Sequence, residues 1–158
     1  MEEKAIQDYY PDRLNHCYGC GSLNEHGLHF KSYWRGEMAV GSFVPEAFHV
    51  GPPGHVYGGL LASLIDCHGN ATACAVAYLA DGRALGSEPL LRYVTAALHV
   101  EYLRPTPIEG PLELEGRVSE INGRETVVEV TVSVAGQQLV RGMVVSVLVP
   151  ARFLAEEP

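Results

Sequence analysis

The sequence predicts an α+β fold in which one long helix packs on one face of an antiparallel sheet of about six strands. Three observations predict it. Apolar residues recur at helical spacing only over about residues 57–79 of the 158-residue chain. Two strand candidates precede this stretch, and four follow it with turn residues between them. The length suits one domain, which we assign to residues 1–158.

The N-terminal part of the chain contains a polar extension and a hairpin. Residues 1–27 carry several glycines, and they predict an extension with at most one short helix and a CxGCG loop. Strands are then predicted at residues 28–34 and 38–44, joined by a turn at residues 35–37. Glycine and proline punctuate residues 49–55, which predicts a loop.

The helix candidate has one apolar face and many small residues. Leu61, Leu64 and Ile65 recur at helical spacing, and alanines fill much of the rest. Gly69 lies in its interior, where glycine costs about 1 kcal/mol relative to alanine. We expect such small residues to let the helix lie very close to a sheet.

The C-terminal half predicts four strands. They are residues 91–103, 112–121, 126–135 and 138–149. Valines at alternate positions from Val128 to Val134 are separated by polar residues, as in a half-buried strand. Asn122-Gly123 and Ala135-Gly136 are hairpin turns, so we expect these four strands to form a meander.

Charge and hydropathy exclude several classes of protein. The chain has 11 Lys and Arg against 19 Asp and Glu, a net charge of −8, which does not suit a nucleic-acid binder. The most apolar stretch contains Asp66, His68 and Asn70, which are costly in lipid. The first residues do not resemble a signal peptide. We expect a cytoplasmic protein with neither a nucleic acid nor a membrane as partner.

The four cysteines are expected to be reduced thiols in that compartment. Cys67 and Cys74 share one face of the helix candidate, but seven residues separate them by about 10 Å along the axis, too far for a disulfide. Cys17 and Cys20 form a CxxC, half of a zinc ribbon without its second half. We expect a compact loop with small buried thiols and no metal; a metal or redox role is the alternative.

Histidines occur near the CxxC, within the helix candidate and in the loop before it. His26 and His29 follow the CxxC at spacings that fit no zinc finger. His68 lies about 200° around the helix from Asp66, so we expect a packed or interface histidine rather than its partner. His49 and His55 lie in the loop before the helix, where they are candidates to contact a ligand.

Gly58 and Gly59 open the helix candidate. The N–H groups of the first helical turn have no intrahelical partner, and the helix dipole adds partial positive charge there. A carbonyl oxygen that gains negative charge during acyl transfer would be stabilised at such a place. The alternative is that the two glycines only permit tight packing between the loop and the helix.

Asp66 is the candidate acid–base residue. It lies within an apolar helix, and its neighbours three and four residues away offer no cation. The alternatives are a solvated helix edge or a cap for a nearby loop. Eight helical residues separate Asp66 from Gly58 by about 12 Å. If both serve one reaction, they must come from different subunits, with two equivalent sites per dimer.

Three segments of the chain carry a resemblance to a known family. They are residues 17–21 with Asn24, Gly27 and Leu28; residues 54–59 with Asp66; and residues 102–107. The first resembles the CxGCGxxNxxGL opening of many hotdog-fold thioesterases, the second the GxxHGG…D signature of their PaaI-like branch, and the third the YLRP strand end. The resemblance extends from about residue 17 to residue 149. It implies a hotdog fold, in which an antiparallel sheet wraps one long central helix.

The resemblance implies hydrolysis of an acyl-CoA or acyl-carrier thioester at a dimer interface, in a homodimer or a tetramer built from two dimers. The Gly58 or Gly59 amide would hold the thioester oxygen, and Asp66 would act as general base or nucleophile. Thr95, seven residues before Tyr102, matches a Ser or Thr that helps to place the water. No cofactor and no metal are implied.

Four residues are candidates for binding the substrate: His49, His55, Tyr57 and Arg104. Arg92 and Arg141 join Arg104 as candidates for the phosphates of CoA, because a guanidinium forks onto phosphate; ordinary surface charge is the alternative for each.

Two departures from the family pattern bear on activity. Tyr57 replaces the histidine before the glycine pair, and Gly51 replaces an asparagine. Tyrosine has an ordinary pKa near 10 and cannot substitute for imidazole at neutral pH. We expect activity with an altered substrate range or a lower rate. A non-catalytic acyl-CoA-binding module is the first alternative. An enoyl-CoA hydratase is the second, although it needs an Asp–His pair that Asp66 lacks within helix reach.

Overall fold

The structure is a computed structural model that describes residues 3–155. One long helix, α1 (Gly58–Ala80), lies on a six-stranded sheet, and a short helix, α2 (Ala151–Leu154), follows it near the C-terminus. The strands are β1 (Tyr33–Arg35), β2 (Met38–Phe43), β3 (Tyr93–Tyr102), β4 (Leu112–Asn122), β5 (Glu125–Val134) and β6 (Gln137–Leu148). The predicted α+β class, the single long helix and the number of strands are confirmed.

The order of strands in the sheet is β1-β2-β4-β5-β6-β3, and all neighbours are antiparallel. The predicted four-strand meander is wrong in one strand: β4, β5 and β6 form a meander, but β3 pairs with β6. The physical reason is that β2 pairs with the other side of β4. The connection over residues 103–111 therefore crosses to β4, and β3 forms one edge of the sheet.

The strand predicted at residues 28–34 is mostly wrong, since β1 covers only three residues. The Leu28 N–H donates to the Tyr18 carbonyl at 2.8 Å, and the Phe30 N–H donates to the Gly19 carbonyl at 3.0 Å. This segment therefore pairs with the CxxC loop instead of extending the hairpin with β2.

Helix α1 approaches the sheet as closely as its small residues allow. A Cβ on Gly69 would lie 2.5 Å from a Val144 methyl on β6, and a Cβ on Gly142 would lie 2.4 Å from an Ile65 methyl. Leu61 and Leu64 are buried in the same core. The expected close packing of the helix on the sheet is confirmed.

The N-terminal extension is part of this packing. It carries two 3-10 turns, Ile6–Tyr9 and Asp12–Leu14, where one short helix was expected at most. The Ile6 side chain is buried against Ala71 and Ala75 of α1. The extension therefore packs against the same helix as the sheet.

Helix α1 is long and apolar enough, by length and composition, to cross a membrane, and it is the one such helix in residues 3–155. Two-thirds of its most apolar part, 67%, is buried within the fold. Burial against the sheet explains its apolar composition, as in the core helix of a globular protein.

Candidate active site

Asp66 and Thr95, 29 residues apart in the sequence, meet where α1 packs on β3. The Thr95 hydroxyl donates a hydrogen bond to Oδ1 of Asp66. Asn70, one helical turn after Asp66, donates from Nδ2 to the Thr95 oxygen at 2.7 Å and lies 3.4 Å from Asp66 Oδ1. The structure therefore unites two predicted residues and adds Asn70, which sequence reasoning missed. Its spacing of four residues from Asp66 was the signal that could have found it.

This arrangement orients the Asp66 carboxylate by hydrogen bonds alone, without a cationic partner. In residues 3–155 no Lys, Arg or His forms a salt bridge with Asp66. The side chain is half-buried, and its hydrogen bonds to Thr95 and Asn70 use Oδ1. Oδ2 is therefore left to accept a proton from water or to attack an electrophile.

The start of α1 presents the predicted pair of backbone amides. Tyr57 is the N-cap, and its N–H donates to the His49 carbonyl at 2.9 Å. Gly58 and Gly59 occupy the first helical turn, where N–H groups have no intrahelical acceptor. The Tyr102 hydroxyl, at the end of β3, donates to the Gly58 carbonyl at 2.8 Å.

The ring of Tyr57 lies across this helix start. A Cβ on Gly59 would lie only 2.4 Å from the ring, so glycine is required for the ring to take this position. Tyr57 is 60% exposed, so its ring lies at the surface of the molecule. Tyr57 therefore lies where the histidine of the family pattern was expected, beside the first amides of the helix.

The four predicted substrate-binding residues fall into two groups. His49 and Tyr57 line a cleft of about 470 Å³ together with Gly59. His55 and Arg104 line a different cleft, of about 480 Å³, at the end of β5 and β6. The first cleft contains the helix start, so His49 and Tyr57 are the two placed beside the predicted oxyanion amides.

The His49 ring is held in one orientation by a backbone hydrogen bond and two aromatic contacts. Its Nδ1 accepts a hydrogen bond from the Glu46 N–H at 2.9 Å, which leaves the proton of the neutral imidazole on Nε2. The ring packs between Phe43 and Phe48, with centroids 5.5 and 4.5 Å away. It can therefore donate one hydrogen bond to a ligand in the cleft.

Two of the three arginine candidates are engaged elsewhere. Arg92 lies over the Tyr10 ring, 4.1 Å from its centroid, and Arg141 forms an ion pair with Glu101. Arg104 has no salt bridge within residues 3–155 and lies on the surface. It is the one of the three whose guanidinium is open to a phosphate.

His68 is a packed core histidine, as predicted. It is fully buried, its Nδ1 lies 2.8 Å from the Ser32 hydroxyl, and its Nε2 lies 3.2 Å from the Ala39 carbonyl. Burial lowers its pKa to about 4, because the charged ring would lose its hydration. Asp66 has no histidine partner in the part of the chain described, so the pair required for a hydratase is not formed there.

Three of the four cysteines converge. The Sγ atoms of Cys17, Cys20 and Cys67 lie within 4.8 Å of one another. Cys74 is buried elsewhere and donates to the Leu91 carbonyl. Interaction with the Cys20 and Cys67 thiols holds the pKa of Cys17 well below its usual value, and the Cys17 sulfur in turn raises the pKa of Cys20 to about 11. The expected compact loop is confirmed, but only one of its two thiols, Cys20, is buried, whereas Cys17 is partly exposed. Cys67 is an unpredicted member of the group.

The comparisons with known proteins fit this geometry. The sequence profile of the thioesterase superfamily matches residues 53–141, more than half of the chain, from the loop before α1 into β6. The chain belongs to the thioesterase superfamily. The family predicted from the sequence is thus confirmed at the level of the superfamily.

One curated relative shows how far the sequence similarity extends. The relative is the acyl-coenzyme A thioesterase THEM4 of Xenopus laevis, 31% identical over 83 residues, which are 52% of this chain and 32% of that protein. The match thus spans about a third of the length of the curated relative.

The solved structures confirm the hotdog fold. A thioesterase superfamily protein from Shewanella loihica is 45% identical, with 80% of this chain and 96% of that chain covered and a TM-score of 0.64. The PaaI protein of E. coli is 17% identical, with 78% and 81% covered and a TM-score of 0.63. At that identity the second structure is evidence for the fold alone.

Proposed function

We propose that this superfamily member hydrolyses acyl-CoA thioesters to the free acid and CoA. Family membership and the similarity to a protein named as an acyl-coenzyme A thioesterase support the reaction class. The geometry supports the residues: a carboxylate oriented by Thr95 and Asn70, and unpartnered amides at Gly58 and Gly59.

The single observation that carries the proposal is the position of both groups along β3. Thr95, near one end of this ten-residue strand, contacts Asp66, and Tyr102, at the other end, contacts Gly58. In an antiparallel pair of β3 strands related by a two-fold axis, each end of one strand faces the other end of its copy. Such pairing brings Asp66 of one subunit towards Gly58 of the other.

The edge of the sheet supports that pairing. β3 has no neighbour on its outer side within the described chain, and it exposes Val94, Leu98 and Tyr102. An uncovered edge strand with apolar side chains is a template for pairing with another chain. We therefore propose a homodimer formed through β3, or a tetramer in which two such dimers associate.

The proposed reaction uses groups from both subunits. The Gly58 or Gly59 N–H donates to the thioester oxygen and stabilises the negative charge that develops there. In the base mechanism, Asp66 takes a proton from water, whose oxygen bonds to the carbonyl carbon; the carbon–sulfur bond then breaks, and the CoA sulfur leaves as a thiolate that takes up a proton. In the alternative, the Asp66 oxygen attacks the carbon, the carbon–sulfur bond breaks, and CoA leaves as a thiolate that takes up a proton; water then hydrolyses the resulting anhydride to the free acid and restores the Asp66 carboxylate.

The clefts beside the start of α1 and at the β5–β6 turn are the proposed places for the parts of the substrate. His49 and Tyr57 lie where the acyl or pantetheine part would pass, and Arg104 is the candidate for a CoA phosphate, while His55 lines its cleft. We propose a cytoplasmic location; the sulfurs of Cys17 and Cys67 lie 3.8 Å apart without a disulfide, which fits a reducing compartment.

One observation favours a second function, an acyl-CoA-binding module without catalysis. The ring of Tyr57 lies across the start of α1, and no histidine occupies that position. A ring that remained there in the complex would cover the amides and leave binding without hydrolysis.

The test is release of free thiol from short, medium, long and aromatic acyl-CoAs. Wild type is assayed beside Asp66→Asn. A blank that contains the protein alone corrects for any thiol signal from its own four cysteines. We expect hydrolysis that collapses in the variant. Binding of acyl-CoA without hydrolysis by wild type would establish the binding module, and full activity of Asp66→Asn would place the catalytic residue elsewhere.

A further inference from the structure

The convergence of three cysteines from two distant parts of the chain has no role in the proposed hydrolysis. Cys17 and Cys20 come from the loop before β1, and Cys67 lies about two and a half turns after Gly58 in α1. The Sγ atoms of Cys17 and Cys67 are 3.8 Å apart, and all three Sγ atoms lie within 4.8 Å of one another.

The distance between the Cys17 and Cys67 sulfurs matches the ligand shell of a tetrahedral thiolate site, and the Cys20 sulfur lies close enough to complete it with a small shift. With metal–sulfur bonds of about 2.3 Å at the tetrahedral angle, two sulfurs of a zinc site are about 3.8 Å apart. The CxxC spacing of Cys17 and Cys20 is that of a pair of zinc ligands on one loop. The closure of the site by a cysteine of α1 explains why the sequence showed only half of a metal motif.

The backbone of the loop is shaped around the sulfurs. A Cβ on Gly19 would lie 2.3 Å from the Cys67 sulfur, so only glycine lets the loop press on that atom. A Cβ on Gly21 would lie 2.4 Å from the Cys17 nitrogen, and the Gly21 N–H donates to the Cys17 carbonyl at 2.8 Å. The tight turn of the loop therefore depends on glycine at both positions.

We propose that Cys17, Cys20 and Cys67 bind one thiophilic divalent metal ion, of which Zn²⁺ is the natural case, with a solvent molecule as the fourth ligand. Among residues 3–155, no fourth His, Cys, Asp or Glu joins this group. Cys20 and Cys67 are buried, whereas Cys17 is half-exposed and leaves that side open to solvent.

The charges of the site balance with a neighbouring cation. On binding, three S–H bonds break, three protons pass to the solvent and three metal–sulfur bonds form. Three thiolates and a dication carry a net charge of −1. The guanidinium of Arg92, which lies over the Tyr10 ring, supplies a positive charge on the Cys20 side.

The bound ion would join the N-terminal loop to α1. Tyr18, between the two loop cysteines, lines the cleft that also contains Tyr57 and Gly59. The ion would thus fix one wall of the proposed substrate cleft without contacting the thioester. Binding of the ion does not depend on the proposed hydrolysis, and it can be tested without any activity assay.

The experiment uses full-length, tag-free protein, reduced and handled without oxygen. Zn²⁺ is added, loosely bound ion is removed, and metal per chain is measured; Co²⁺ is then used as a coloured probe. We expect one ion per chain, a thiolate-to-Co²⁺ charge-transfer band and the d–d bands of a tetrahedral site. Zn²⁺ should also raise the melting temperature of the wild type.

The variants are Cys17→Ser and Cys20→Ser, with Cys74→Ser as the matched control because Cys74 is a buried thiol outside the cluster. We expect each cluster variant to lose at least about 100-fold in affinity for Zn²⁺, since even outer-shell partners contribute 10–100-fold. Cys17 is half-exposed, so its variant tests the site even if the others fold poorly.

Three outcomes would overturn the proposal. They are reduced wild type that binds no Co²⁺, a Cys17→Ser variant that binds Zn²⁺ as tightly as wild type, and a Cys74→Ser variant that loses binding equally. Wild type that binds no Co²⁺ when reduced and forms a Cys17–Cys67 disulfide in air would identify the cluster as a redox pair instead.

Discussion

The Thr95 hydroxyl donates a hydrogen bond to the Asp66 carboxylate, and this contact joins the edge strand β3 to the middle of α1. Asn70 donates to the same hydroxyl, so the donor direction runs from Asn70 through Thr95 to Asp66. Hydrogen bonds to an ionised acceptor are stronger than neutral ones and fix its orientation. Both side-chain hydrogen bonds thus use one oxygen of Asp66, and the other has no hydrogen-bond partner among residues 3–155.

The first prediction concerns the carboxylate itself. Asp66→Asn keeps the shape of the side chain but cannot take a proton or attack a carbonyl, so we expect kcat to fall by about 10²–10⁴-fold with acyl-CoA binding retained. Steady-state hydrolysis and equilibrium binding measure the two effects. The matched control is Asp81→Asn, at the C-cap of the same helix, which should retain wild-type kcat.

The second prediction concerns the hydroxyl that orients it. Thr95→Val removes the hydrogen bond to Asp66 and leaves Asn70 without its acceptor, whereas Thr95→Ser keeps the hydroxyl. A hydrogen bond to a charged group contributes about 1.5–3 kcal/mol, so we expect kcat to fall by about 10–150-fold in the valine variant. KM should change little. Equal rates for the valine and serine variants would show that the hydroxyl plays no part.

The third prediction tests whether the Gly58 amide and the Asp66 carboxylate of one active site come from two different subunits. Gly58→Pro deletes one amide donor at the first helical position, where proline is tolerated, and Tyr57 before it already has the extended conformation that proline requires. We expect Gly58→Pro and Asp66→Asn to be inactive alone. When equal amounts of the two variants are refolded together, about half of the dimers are mixed, and each mixed dimer contains one intact site of its two. The mixture should therefore recover about a quarter of wild-type activity.

The control for this experiment is Gly58→Ala, which adds a Cβ 3.3 Å from the Tyr102 ring but retains the amide. It should keep most of the activity. A mixture that stays as inactive as its components would mean that the two groups do not act across an interface. Mass measurement in solution, on wild type and Leu98→Arg, then reports whether β3 forms the dimer.

The fourth prediction tests how closely α1 lies on the sheet. Gly69→Ala adds a methyl 2.5 Å from Val144, and overpacking of this kind costs about 1–3 kcal/mol. We expect the free energy of unfolding to fall, although alanine favours a helix by about 1 kcal/mol. The Cβ of Val144 itself lies 2.6 Å from the added methyl, so only a Val144→Gly background gives the methyl room, and there the same change should stabilise the protein. Urea unfolding of the four proteins gives the coupling energy, which would be near zero if the packing were loose.

The fifth prediction follows from the buried His68. Its pKa is about 4 in the folded protein and 6.5 when unperturbed, so the unfolded state takes up a proton first as the pH falls. Stability should therefore decrease between about pH 6.5 and pH 4, by about 2 kcal/mol from pH 7 to pH 5. Urea unfolding of wild type and His68→Gln at both pH values isolates this contribution. The same pH dependence in both proteins would contradict the assignment.

Periodicity in the sequence was sufficient for most elements. The alternation from Val128 to Val132 predicted β5, and the spacing of Leu61 and Leu64 predicted α1, because burial of one face imposes a period on each element. The site signals were also local: Gly58 and Asp66 belong to one helix, and their separation follows from its rise per residue.

Only the tertiary structure decided which elements meet. Periodicity shows that a face is buried but not what covers it, so it placed β3 beside β4 when β3 in fact pairs with β6. For the same reason, the contacts of Thr95 with Asp66 and of Cys67 with Cys17 were invisible in the sequence. Each joins residues 29 or 50 positions apart, and such distances are bridged by strand order and helix packing rather than by any local pattern.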